Sequence, residues 1–195
     1  MKNLQTRIYT DLTYEPVTIE EAKLFCKVTW TEEDDIFRTL ITAARRALEK
    51  YTQSSFGKKT IHAFWVTFPD DYLFELPYGP IISVDHVYWV DEEGTEQAAT
   101  VNSDYWVYGS QDAVVKLSQY WTTGLKTTSS VRIEYQAGYG NAATETLPEE
   151  LRLAILKQVA TDYDMRENIV VGANATVLTN ESRKLADPYR KKLWF

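Results

Sequence analysis

Ala47-Leu48-Glu49-Lys50-Tyr51-Thr52-Gln53-Ser54-Ser55-Phe56-Gly57-Lys58-Lys59-Thr60-Ile61-His62-Ala63-Phe64-Trp65-Val66-Thr67-Phe68 changes its period in the middle. Up to Tyr51 the apolar residues recur at helical spacing: Ile36, Phe37, Leu40, Ile41, Ala44, Ala47, Leu48, Tyr51. Past Ser54-Ser55-Phe56-Gly57 the spacing is two. Ile61, Ala63, Trp65 and Thr67 alternate with His62, Phe64, Val66 and Phe68. Helical patterns also stand before this stretch and near the end of the chain, with strand patterns between. That order predicts an α+β fold, a helical core formed by N-terminal and C-terminal helices with an inserted antiparallel β region.

Upstream, the spacing predicts helices over residues 18–27 and 31–51. Thr18-Ile19-Glu20-Glu21 is a capping box, in which the hydroxyl and the Glu21 carboxylate satisfy two backbone N–H groups reciprocally. Thr31-Glu32-Glu33-Asp34 opens the second helix, with acidic residues where the helix dipole favours them. Arg38, Arg45, Arg46 and Lys50 lie mostly on the side away from the apolar stripe and read as a solvated face. Cys26, the single cysteine, falls on an apolar helical face and reads as a small buried hydrophobe, so no internal disulfide is possible.

Downstream, short strands are expected at residues 60–68, 72–76, 81–90, 95–99, 105–108, 113–117 and 130–136. Pro77-Tyr78-Gly79-Pro80 and Asp91-Glu92-Glu93-Gly94 supply turns. A third helix opens at Leu147-Pro148-Glu149-Glu150, with Thr146 as its expected cap and Leu151, Ile155, Val159 and Tyr163 as its apolar stripe. Residues 168–187 lose periodicity and read as a loop or mobile arm. The expected organisation is a helical part over residues 1–56, an antiparallel β insertion over 57–140, a helix packing back over 141–167 and an extended arm over 168–195.

Composition narrows the function. A net charge of −7 argues against a surface dedicated to gripping duplex nucleic acid. The first residues lack an apolar core, so no signal peptide is expected, and no apolar run is long enough to span a membrane. Synthesis and retention in a cytoplasm follow as the expectation. His62 and His86 stand in strands without a Ser or Cys at motif spacing, and no metal-ligand spacing occurs. Gly138-Tyr139-Gly140 lacks the Lys-Ser/Thr ending of a phosphate loop. No enzyme, cofactor or metal site is therefore expected. The remaining candidate is a partner-binding terminus: Tyr189, Arg190, Lys191, Lys192, Leu193, Trp194 and Phe195 combine aromatic and cationic residues of the types that dominate interface energetics.

Several segments together resemble the head–tail connector (adaptor) proteins of long-tailed bacteriophages. They are Thr18-Ile19-Glu20-Glu21-Ala22-Lys23, Asp34-Asp35, Leu40-Ile41-Thr42-Ala43-Ala44-Arg45 and Glu49-Lys50-Tyr51-Thr52. Further along stand Leu76-Pro77-Tyr78-Gly79-Pro80-Ile81-Ile82-Ser83-Val84 and Tyr135-Gln136-Ala137-Gly138-Tyr139-Gly140. Leu147-Pro148-Glu149-Glu150-Leu151-Arg152-Leu153-Ala154-Ile155-Leu156 and Asp187-Pro188-Tyr189-Arg190 complete the set. The resemblance implies a non-enzymatic ring, typically dodecameric, seated beneath the portal protein. Such a ring bridges portal and a tail-side head-completion or tail-terminator protein, and phage DNA passes through it without sequence-specific binding. A rival reading treats the aromatic β region as a carbohydrate-binding module, with Trp65, Trp89 and Trp106 stacking on sugars.

Overall fold

The computed structural model describes residues 4–66, 69, 71–91, 93–109, 112–118, 131–139, 147–165 and 178–191. The chain divides into two compact units, one built from Thr13–Gly57 and Tyr139–Lys191, the other from Met1–Leu12, Lys58–Gly138 and Lys192–Phe195. The first is helical and the second is a β unit, so the fold is α+β.

The helical unit holds α1 (Ile19–Phe25), α2 (Asp34–Thr52), α3 (Glu149–Asp164) and α4 (Asn180–Ala186), followed by a 3-10 turn at Asp187–Tyr189. The capping box at Thr18 forms as read: its hydroxyl accepts the Glu21 N–H and the Glu21 carboxylate accepts the Thr18 N–H. Phe37, Ile41 and Leu48 of α2 close on Leu151, Ile155 and Val159 of α3 in one apolar core. Three local expectations are corrected. The first residue of α3 follows Pro148, which stands at the cap position and offers no side-chain acceptor; Thr146 lies outside the described residues. Ile36 is exposed, because the apolar stripe of α2 turns past it. Arg45 is buried beside Glu15 and Glu49, since an inward guanidinium paired on two sides is tolerated where an unpaired one is not.

Within residues 168–187 the structure shows α4, where the sequence reading expects a loop. Thr179 caps it by accepting the Ser182 N–H. Ser182 is buried and donates to the Ala154 carbonyl of α3 at 3.0 Å, and Ala186 is also buried. Small residues thus let α4 approach α3 closely. A seven-residue helix buried through Ser and Ala leaves no apolar period to read.

The β unit has a five-stranded antiparallel sheet in the order β1-β2-β8-β4-β5 and a three-stranded sheet in the order β3-β7-β6. Their ranges are β1 Leu4–Thr10, β2 Lys59–Trp65, β3 Leu73–Glu75, β4 Ile81–Val90, β5 Glu96–Ala98, β6 Tyr105–Tyr108, β7 Val114–Leu117 and β8 Val131–Ala137. Strand alternation decides the core. Ile61, Ala63 and Trp65 of β2 and Val131, Ile133 and Tyr135 of β8 face inward with Phe74, Val115 and Leu117. β1 belongs to this sheet although it precedes the helices; it lies antiparallel to β2, with Leu4 opposite Trp65. It was not expected, because a mostly exposed edge strand carries little apolar alternation.

Candidate partner interface

The end of α2 and the C-terminal segment form one hydrogen-bonded clasp. Gln53 closes α2 in the left-handed conformation. Tyr51 donates its phenol to Asp187, and Tyr189 donates its own to Glu150 Oε2 at 2.8 Å. Ser54 Oγ donates to the Tyr189 carbonyl at 3.3 Å, and the Lys191 N–H donates to the Thr52 carbonyl at 2.9 Å. The guanidiniums of Arg190 and Arg183 lie 5.3 and 5.9 Å from the centre of the Tyr51 ring, within cation–π range.

The electrostatics follow from these contacts. Donation to Asp187, with some burial, raises the Tyr51 phenol above its ordinary range. Donation to Glu150 raises that of Tyr189 in the same way. Glu150 is held below the usual carboxylate range by its own backbone N–H first and by Tyr189 second. Of the seven terminal residues singled out from the sequence, the clasp brings together Tyr189, Arg190 and Lys191. Lys192, Leu193, Trp194 and Phe195 lie outside the described residues.

A second surface sits where α1 hands over to α2. Lys23 Nζ pairs with Asp34 at 2.6 Å and ties the two helices there. Glu33 Oε2 accepts the Trp30 indole N–H at 3.1 Å and the Tyr163 phenol at 2.5 Å, while the Tyr163 ring stacks on Phe37 at 4.7 Å. Leu24, Phe25, Trp30 and Ile36 are exposed around this junction. Sequence reasoning passed over Trp30. Its signal was a Trp three residues before a Glu at a helix start, placed to be held rather than buried.

In the β unit, His62, Arg132 and Trp65 are each engaged by neighbouring side chains. His62 is stacked on Tyr9 at 4.7 Å, and its Nε2 stands 3.5 Å from Glu134. Arg132 is bound by Glu96 through two hydrogen bonds of 2.9 and 2.6 Å and by Glu134, and it lies 4.0 Å from the centre of the Tyr88 ring. Trp65, proposed above as a sugar platform, is buried edge-on against Phe74 at 5.2 Å and is unavailable to a ligand. Among the described residues no group of three or more His, Cys, Asp or Glu side chains is placed to hold a metal ion. No helix among them is long and apolar enough to cross a membrane.

The chain matches a family model described as phage gp6-like head-tail connector protein over residues 16–194. Among solved structures it is similar to a chain in the neck of an empty gene transfer agent (GTA) particle computed with C6 symmetry, with a TM-score of 0.78 at 17% identity. A chain in the virion of the native GTA particle gives the same TM-score and identity. One in the neck of the native particle computed with C12 symmetry gives 0.70, also at 17% identity. Each match covers 98% of this chain and 97% of the other. No curated protein matches the chain.

Proposed function

The chain belongs to the phage gp6-like head-tail connector family, and on that premise we propose that it forms a ring beneath the portal of a filled capsid, bridges head and tail, and lines the channel that DNA crosses. The family is one of structural connectors of the head–tail junction rather than enzymes. The match over residues 16–194 carries this reading, because it spans both units and not one module alone. The similarity in fold to chains from particle necks, computed with C6 and with C12 symmetry, supports a ring, and twelve copies is the number we propose.

The ring's partners are the portal on one side and a tail-side head-completion or tail-terminator protein on the other. Before assembly the protein resides in the host cytoplasm. The terminal residues 189–195 dock on the portal or on a neighbouring copy, with the clasp at Tyr189 and Lys191 holding the first of them to the helical unit. The test is sedimentation of purified full-length chain with and without portal rings. The expected outcome is a monomer or weak associate that becomes a ring on portal. A stable dimer with no affinity for portal overturns the proposal.

A further inference from the structure

Two exposed surfaces of opposite character lie at the two ends of α2. At 1.5 Å per residue, this helix holds them roughly 28 Å apart. The α1–α2 junction marks its start, through the Lys23–Asp34 pair; the clasp marks its end, through Tyr51 and Thr52. At the start, Leu24 is 80% exposed and Trp30 50%. Exposed Glu32 and Asp35, the latter paired with Arg38, add negative charge beside them. The bond from Trp30 to Glu33 fixes the indole, so little ordering cost remains when a partner covers it.

The other end holds cations without a carboxylate partner. Lys50, Arg183 and Arg190 pair with no carboxylate among the described residues. Arg183 Nε is buried and has no hydrogen-bond acceptor. A buried donor left unmade is unfavourable, and a carboxylate is the acceptor a guanidinium takes best. Tyr51, with a guanidinium on its ring, is an aromatic-cationic surface of the kind that anchors interfaces.

We infer that these ends are the two halves of one head-to-tail contact between copies of this chain. The acidic, apolar start of α2 in one copy seats on the cationic Tyr51 end in the next. This rests on the ring reading above and adds the surfaces that close the ring. Each surface would repel its own duplicate and attract the other, so a two-fold dimer is disfavoured and a head-to-tail arrangement favoured. Within the cationic end, Asp187 and Glu150 accept phenolic hydrogen bonds and place negative charge beside the cations. That mixture suits a few fixed carboxylates better than a continuous line of phosphates.

Charge reversal tests it. Glu32→Lys with Asp35→Lys reverses the start; Lys50→Glu with Arg190→Glu reverses the end. All four positions are surface sites, so thermal melting should show each double variant folded. Sedimentation of the full chain with portal rings as template should show ring formation weakened at least about tenfold in either double variant. Mixing the two double variants, or placing all four changes in one chain, sets opposite charges face to face again and should restore the ring. Double variants that assemble like the unaltered chain place the contact elsewhere and leave the ring reading intact. Loss in both without recovery in the mixture or the fourfold variant overturns the pairing. An unaltered chain that forms no ring, with or without portal, overturns the ring reading and this contact with it. Should Lys50→Glu with Arg190→Glu abolish retention on duplex DNA but spare assembly, the cationic end serves DNA and the inference is wrong.

Discussion

Tyr135 sits at the centre of the β core with its phenol donating to the Pro77 carbonyl at 2.8 Å. Burial pushes that phenol well above its ordinary pKa, so it remains a donor at any working pH. Tyr135→Phe keeps the ring and strands the carbonyl; unfolding experiments should show a loss of about 1–2 kcal/mol. Arg45 is the harsher case. Glu49 accepts from Arg45 Nη1 at 2.9 Å and from the Phe56 N–H at 2.8 Å, and Arg45 Nε also reaches Glu15 at 2.6 Å. Arg45→Leu leaves a carboxylate buried without its cation, and a loss of about 3–5 kcal/mol should follow. The helical period alone put Arg45 on the outer side. Its partner Glu15 lies in an irregular segment thirty residues back, and nothing in periodicity reports so distant a pair. Asp162 runs the other way. Burial raises its carboxyl pKa, against a lowering by Gln158. A raised folded pKa gives stability below the unfolded value that is lost as pH rises through the folded one, so the ionised form weakens the fold at neutrality. Asp162→Asn should raise the melting temperature at pH 7 by on the order of 1 °C, discounted for partial exposure, and give no gain at pH 2.

α1 to α3 and β2 to β8 were legible; α4 and β1 were not. Leu151, Ile155, Val159 and Tyr163 appear in the sequence as a stripe and in the structure as the buried face of α3. β4 and β6 stand where alternation placed them, at Ile81–Val90 and Tyr105–Tyr108. α4 escaped because Ser182 and Ala186, the residues it buries, look like loop composition. The partner surfaces were legible only in part: the terminal aromatics and cations stood out, Trp30 was passed over although Glu33 stands three residues on, and Tyr51 gained meaning from Arg183 and Arg190, which only folding brings near. Because the clasp ties Tyr189 and Lys191 to α2 and α3, two truncations should part company. Removing residues 188–195 should lower the melting temperature measurably, since it deletes these bonds. Removing residues 192–195 alone should leave it within about 1 °C while abolishing the joining of heads to tails in a complementation assay. A large stability loss from the shorter truncation would assign those four residues to the protein's own core.

Whole-molecule charge sets the expected relation to DNA. With −7 net, and with Arg45, Arg132 and Arg152 among the cations held by carboxylates, the isolated protein should bind duplex DNA only weakly at physiological salt, at about micromolar dissociation constant or worse. Gel-shift titration measures this, and tighter binding would reveal a phosphate track that the charge balance hides.

β1 has a consequence of another kind, in time rather than in space. It leaves the ribosome before the other strands, yet β2, its partner among the described residues, starts only at Lys59, after both α1 and α2 have been made. At synthesis rates of about 5–20 residues per second, Leu4–Thr10 waits for several seconds as a nascent strand with nothing to pair against. β2 in turn waits for β8, which starts at Val131. The sheet therefore cannot close until about two thirds of the chain exists. A nascent chain stalled before Val131 should be cleaved readily by protease within the β segments made so far, and one stalled well past Ala137 should resist.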